Sequence, residues 1–124
     1  MFLQRNRISG IIPSEMGRIE GLRGLNLDDN EITGPIPSEI GLCATVHFLA
    51  FGGNDITGHI PIELFNLKLE ALHAELNRIT GSIPTNIGQL QQLFSCKILI
   101  ISSKIVHFTS GSLSHTFDNL YMMQ

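Results

Sequence analysis

Apolar residues recur in a fixed order around four asparagines, Asn6, Asn30, Asn54 and Asn77. Apolar side chains stand three and five residues before each asparagine, and this alternation predicts a short strand with one buried face. Isoleucines follow at two and six residues after each asparagine, and a further apolar residue follows at ten. The asparagines are 24, 24 and 23 residues apart. A fixed period of this length indicates stacked repeats that share one core.

Each repeat also carries a glycine and a proline at fixed places, as in NEITGPIP at residues 30–37. The glycine permits a positive φ or a close backbone approach, and the proline holds the preceding isoleucine extended. A buried amide both donates and accepts hydrogen bonds. The four asparagines are therefore predicted to form a structural ladder, in which the Asn54 amide has partners in the coils on both sides.

The segment LRGLNLDDNEITGPIPSEIG, residues 22–41, resembles the plant-type leucine-rich repeat, L-x-x-L-x-L-x-x-N-x-L-[ST]-G-x-I-P. The resemblance covers residues 1–98 and implies an α/β fold. This fold is a right-handed solenoid of four to five coils, with parallel strands on the concave face and short β, 3₁₀ or helical turns on the convex side. Members of the class bind proteins, peptides or hormones in cell-surface receptors, receptor kinases and inhibitor-like proteins. The resemblance thus implies non-catalytic recognition.

The repeat pattern weakens towards the carboxyl end. The coil before Asn77 is one residue short, and Ala74 replaces a large aliphatic residue. Residues 99–124 no longer match and are predicted to form a divergent tail. This tail is either a cap or sequence that did not evolve with the solenoid, and its KILIIS and KIVHFTS stretches predict one or two added strands. With no capping module before the first coil, we expect self-association through uncapped ends.

The residues that flank the buried strand positions are expected to face the concave surface. The proposed ligand-binding set is Asn26, Asp28, Phe48, His73 and Glu75. The alternative is a solvated sheet face with no ligand. His73 and Glu75 lie two residues apart, but Asp28 is two coils away, about 10 Å at the usual strand spacing. The sequence therefore predicts no metal site and no cofactor.

Composition excludes several classes of function. The 124 residues carry a formal net charge of −3 without clustered Lys or Arg, which argues against a nucleic-acid partner. No apolar run approaches the roughly 18 residues of a membrane span, and no catalytic motif indicates an enzyme. The first residues do not form a secretory signal, so the compartment is left open although relatives are mostly extracellular. Cys43 and Cys96 lie too far apart for a disulfide and are expected to be buried thiols.

Three functional interpretations remain from the sequence. The first is a receptor-like segment whose concave face recognises a protein or peptide. The second is a truncated repeat fragment with only a structural role. The third is an inhibitor of a secreted enzyme.

Overall fold

The computed structural model describes residues 1–82, 92–100 and 104–109. A main sheet has the strand order β2-β4-β6-β7-β8, and a second sheet has the order β1-β3-β5. The strands are β1 (Ser9–Ile11), β2 (Gly24–Asn26), β3 (Glu31–Pro35), β4 (Phe48–Ala50), β5 (Asp55–Thr57), β6 (Ala71–Ala74), β7 (Ser95–Ile100) and β8 (Lys104–Thr109). Within the described residues, three 3₁₀ turns connect the second sheet to the main sheet, at Ser14–Arg18, Ser38–Leu42 and Ile62–Asn66.

The main sheet is parallel from β2 to β7, as the repeat predicts. Leu25 is in register with Leu49, Leu49 with Leu72, and Leu72 with Cys96. These four side chains are fully buried. An isolated parallel bridge from Phe2 to Asn26 extends the sheet into the first coil. The predicted leucine-rich-repeat arrangement is therefore confirmed, whereas the number of coils stays a prediction because residues 83–91 lie outside the described part.

The last two strands reverse the direction of the sheet. β8 runs antiparallel to β7, from Ser95 opposite Thr109 to Ile100 opposite Lys104. The strands expected from KILIIS and KIVHFTS are thus present, and β7 crosses the proposed boundary at residue 98. Residues 110–124 lie outside the described part, so the division into residues 1–98 and 99–124 stays a prediction.

Proline and glycine shape the connections between the two sheets. Pro13, Pro37 and Pro61 each precede a 3₁₀ turn with extended backbone, at φ of −71°, −70° and −62°. Gly34, in β3, and Gly58, directly after β5, have φ of +76° and +78°. Residues with a Cβ rarely adopt this conformation. The fixed glycine and proline therefore make the same two bends in each coil.

The asparagine ladder joins each coil to the one before it. The Asn54 Oδ1 accepts the Ile32 N–H at 3.0 Å, and its Nδ2 donates to the Leu27 carbonyl at 2.9 Å. The prediction that this amide reaches both neighbouring coils is wrong. Its side chain bonds within its own coil and to the preceding one, while its backbone N–H donates to the Leu76 carbonyl of the next coil at 3.2 Å. A side chain this short reaches only the coil towards which it points.

The same arrangement recurs at Asn30 and Asn77. Their Oδ1 atoms accept the N–H groups of Ile8 and Ile56, each at 3.0 Å. Asn6 differs from the other three because its Nδ2 bonds only to carbonyls of its own coil, and its side chain is exposed. Three rungs of the ladder therefore connect coils, and the first does not.

A left-handed residue precedes every ladder asparagine, a feature that the sequence analysis did not anticipate. Gly53 has a φ of +64°, but Arg5, Asp29 and Leu76 adopt +57°, +55° and +53°. Only glycine and, less often, Asn or Asp occupy this region readily. Leu76, like Arg5, is of a residue type that rarely occupies this region. Its side chain is also 68% exposed.

Replacing Asn54 by alanine tests the ladder. We expect a loss of about 1–3 kcal/mol in the free energy of unfolding, because buried backbone groups of two coils lose their partner. Denaturant unfolding measures this loss. Asn6→Ala is the matched control, since that amide connects no coils, and its loss should be smaller. Equal losses for the two variants would contradict an inter-coil role.

Replacing Leu76 by asparagine tests the backbone strain. Asparagine tolerates a positive φ, so we expect a gain of up to about 1 kcal/mol in the free energy of unfolding. Leu42→Asn is the control, because Leu42 is 74% exposed but has no positive φ. A gain of the same size in both variants would attribute the effect to removal of an exposed leucine.

Candidate ligand-binding face

The outward face of the main sheet carries all five residues proposed from the sequence. Alternation along the strands buries the core leucines and turns their neighbours outward. We use the name outward face for these outward neighbours, namely Asn26, Asp28, Phe48, Gly52, His73 and Glu75. The proposed five are each partly buried. They are therefore not extended freely into solvent.

An aromatic row crosses this face. The rings of Phe2 and Phe48 have centroids 6.5 Å apart, and those of Phe48 and His73 meet edge-to-face at 5.8 Å. The His73 Nε2 lies 2.8 Å from the Ser95 Oγ. Aromatic pairs at such distances attract each other beyond simple burial. The row thus joins the first, third and fourth coils through ring contacts and continues into the next coil through the histidine.

Two carboxyl groups converge beside the aromatic row. A Cβ added to Gly52 would lie 3.2 Å from the Asp28 Oδ1 and 3.3 Å from the Glu75 Oε1. The two groups are therefore closer than the 10 Å or so expected from strand spacing. That estimate was wrong because it ignored the side-chain lengths and the empty place above Gly52. The Asp28 Oδ1 also accepts the Gly52 N–H at 2.6 Å.

The carboxyl pair lies in an unfavourable setting for negative charge. Burial raises the pKa of Asp28, and the charge of Glu75 raises it further, while the Gly52 N–H and His73 act in the opposite direction. The Glu75 Oε2 is buried and has no hydrogen-bond partner among the residues that the structure describes. Burial and the same glutamate raise the pKa of the Cys96 thiol to about 12.

The Asn26 side chain forms a hydrogen bond with the backbone at the end of its own strand. Its Oδ1 accepts the Asp28 N–H at 3.0 Å. The structure therefore brings Phe48 together with His73, and Asp28 together with Glu75, while Asn26 supports the loop that holds Asp28. Phe2, Gly52 and Ser95 complete the arrangement but were not in the proposed set. Their strand positions match those of the proposed residues, and this offset is the signal that identifies them.

The chemistry offered by this face is apolar contact beside hydrogen-bond acceptors. Within residues 1–82, 92–100 and 104–109, no group of three or more His, Cys, Asp or Glu side chains is arranged to hold a metal ion. Over the same residues, no helix is long and apolar enough to cross a membrane. The arrangement is thus that of a contact surface with a ring row and an acidic edge.

Comparison with known proteins agrees with the repeat geometry. The family model described as Leucine Rich Repeat matches residues 21–43, and solved plant receptor ectodomains of this class superpose on the chain. The chain has the leucine-rich-repeat fold of these ectodomains. None of the curated proteins matches it.

Three similar solved structures indicate how far the likeness extends. The PEPR1–AtPEP1 structure is 36% identical with a TM-score of 0.75, over 77% of this leucine-rich-repeat chain and 14% of that one. The Arabidopsis thaliana GASSHO1/SCHENGEN3 ectodomain, in complex with CASPARIAN STRIP INTEGRITY FACTOR 2, is 34% identical with a TM-score of 0.72, over 75% and 11%. A plant ice-binding protein is 29% identical with a TM-score of 0.71, over 81% and 32%. The chain therefore spans less than a third of each.

The cysteines provide a test of the packing beneath this face. Cys43 and Cys96 are both free and buried, as predicted, and only the thiolate reacts with thiol reagents. In a Cys43→Ser variant, we expect Cys96 at about pH 8 to react much more slowly in the native protein than in denaturant. A colorimetric thiol assay measures both rates. Equal rates would mean that the strand opens freely.

Proposed function

We propose that the outward face binds a protein or peptide, as part of a non-catalytic, receptor-like leucine-rich-repeat ectodomain. Two of the similar structures support this proposal, because one is named as PEPR1 with AtPEP1 and the other as a plant receptor-kinase ectodomain in complex with a second component. The likeness to an ice-binding protein shows that this fold serves other functions as well. The fold alone therefore does not select a function, and the argument rests on the face itself.

The aromatic row is the observation that carries the proposal. A merely solvated sheet face has no need of large rings, whereas aromatic anchors dominate the energetics of protein interfaces. Phe48 is held between Phe2 and His73, so its ring is positioned before any ligand arrives. Such pre-organisation lowers the entropy lost on binding. The neighbouring carboxyl groups supply acceptors that fix the orientation of a ligand.

The structural-fragment and enzyme-inhibitor interpretations predict different contacts for the outward face. A repeat fragment with only a structural role requires no ligand for the outward face. An inhibitor of a secreted enzyme requires that the same face contact an enzyme near its active site. Peptide-binding assays and inhibition assays with glycanases or proteases distinguish all three. The proposed function predicts that the chain binds a peptide and inhibits no enzyme, the inhibitor predicts inhibition, and the structural fragment predicts neither.

Selection from a random peptide library displayed on phage tests the proposal. The full chain is the bait, and the selected peptides are synthesised and titrated against variants. We expect Phe48→Ala to weaken binding by about tenfold or more, because truncated aromatic anchors commonly cost over 1 kcal/mol. Leu42→Ala is the control, since Leu42 is 74% exposed on a 3₁₀ turn. Failure to select any peptide, or equal binding to both variants, would contradict the proposal.

We also propose that the chain self-associates through the apolar surface of its first coil. Phe2 and Ile11 are each 69% exposed there, and Met1 is 45% exposed. Exposed large apolar side chains of this kind favour contact with another protein surface. The backbone N–H of Asn6 donates to the Asp29 carbonyl of the next coil at 3.2 Å, but its side chain bonds only within the first coil.

Charged substitution at this surface tests the self-association. In sedimentation velocity, we expect Ile11→Asp to shift the chain towards monomer, because a charge there opposes apolar contact. Leu42→Asp, which changes an equally exposed leucine on the second 3₁₀ turn, should leave the distribution unchanged. A monomeric unmodified chain would refute the proposal, whatever the peptide selection gives.

A further inference from the structure

The Asp28 and Glu75 carboxyl groups meet across a coil that contributes no side chain. Asp28 follows β2 and Glu75 follows β6, and Gly52 lies between them in the intervening coil. Because both groups lie within about 3.3 Å of the place of a Gly52 Cβ, any larger residue would separate them. Gly52 is buried beneath the pair. The glycine therefore brings together two acidic groups that the repeat normally keeps apart.

The hydrogen bonds of this pair are incomplete. The Asp28 Oδ1 accepts the Gly52 N–H at 2.6 Å, but the Glu75 Oε2 is shielded from solvent and has no donor in the described part of the chain. A buried acceptor without a partner costs free energy, and the cost is larger when the group is charged. A single proton on the pair would turn one of the two carboxyl groups into a donor. It also removes one of two adjacent negative charges.

The other charged and titratable groups around the pair do not neutralise it. His73 and Asp29 act on Asp28 in opposite senses, and the Cys96 thiol beneath the sheet is influenced by Glu75. Arg5 lies in the adjacent first coil, but its Nε is 3.7 Å from the Asp29 Oδ2. In the next coil, the Lys97 backbone is in register with His73. Among the described side chains, His73 alone has a charge that lowers the pKa of Asp28, and burial outweighs it.

We propose that Asp28 and Glu75 form a proton-sharing pair that switches the outward face between a closed form with one negative charge and an open form with two. In the closed form, one carboxyl O–H donates to the other carboxylate above Gly52. When the proton leaves to solvent, the two carboxylates repel each other and the Glu75 side chain turns towards water. This inference concerns the unliganded chain and does not rest on the proposed peptide binding.

The direction of the effect on stability follows from the raised pKa of Asp28. Between the ordinary value of 3.8 and the raised folded value, the folded state binds more protons than the unfolded state. Stability from this group is therefore present below 3.8 and is lost as the pH rises through the folded pKa. Removing Glu75 should reduce this loss, because one cause of the raised pKa disappears.

Carbon-13 NMR titration of the full chain, labelled at the Asp and Glu carboxyl carbons, tests the pair directly. The Asp28 signal is assigned by its absence in Asp28→Asn. We expect its midpoint above 3.8 in the unmodified chain and at lower pH in Glu75→Gln, which preserves the shape of the side chain. Glu63→Gln is the control, because Glu63 lies exposed in the third 3₁₀ turn, away from this face.

Two results would overturn the proposal. One is an Asp28 midpoint at its ordinary value, and the other is a midpoint that Glu75→Gln and Glu63→Gln shift equally.

A second measurement tests the pair if the NMR signals are too broad to follow. Urea unfolding across the same pH range should show that Glu75→Gln gains stability relative to the unmodified chain as the pH rises, while Glu63→Gln does not. A difference independent of pH would likewise refute the switch.

Discussion

The rest of the structure depends on a buried amide that can satisfy backbone groups in two coils at once. The Asn54 side chain accepts the Ile32 N–H and donates to the Leu27 carbonyl, and both of these groups belong to the preceding coil. The Asn54 backbone N–H donates to the Leu76 carbonyl of the next coil. A buried backbone group without a partner is costly, so a coil of different length at this point would leave such groups unpaired. This requirement holds the distance between asparagines nearly constant and places the short strands in register.

The ladder also explains which irregularities the stack accepts. The fourth coil is one residue short, yet β6 keeps its register with β4, and Ala74 is completely buried. The missing residue falls between the third 3₁₀ turn and β6, where the spacing is nine residues instead of ten. No ladder bond crosses that segment. A deletion there shortens a connection, whereas a deletion between Leu72 and Asn77 would break the ladder itself.

The sequence predicts those parts of the molecule in which one physical requirement repeats. The inward positions, the glycine and proline bends and the parallel strand order all follow from the period. The left-handed conformation before each asparagine could not be predicted, because Arg5, Asp29 and Leu76 lack the glycine that would indicate it. The alternation of apolar and polar residues also predicts a strand at residues 104–109 but not its direction, because side chains alternate between the two faces in parallel and antiparallel strands alike.

The outward face is least predictable because the repeat places no requirement on it. Alternation correctly located Asn26, Asp28, Phe48, His73 and Glu75, but it gave no information about which of them meet. That depends on what the neighbouring coil offers at the same position, and the decisive neighbour is a residue without a side chain. Gly52 lets carboxyl groups two coils apart converge, whereas a ring at Phe48 fills the space above Gly24. In a solenoid of this kind, the chemistry of the face arises from pairs and gaps between coils. Residue identities along one coil are therefore insufficient to predict it.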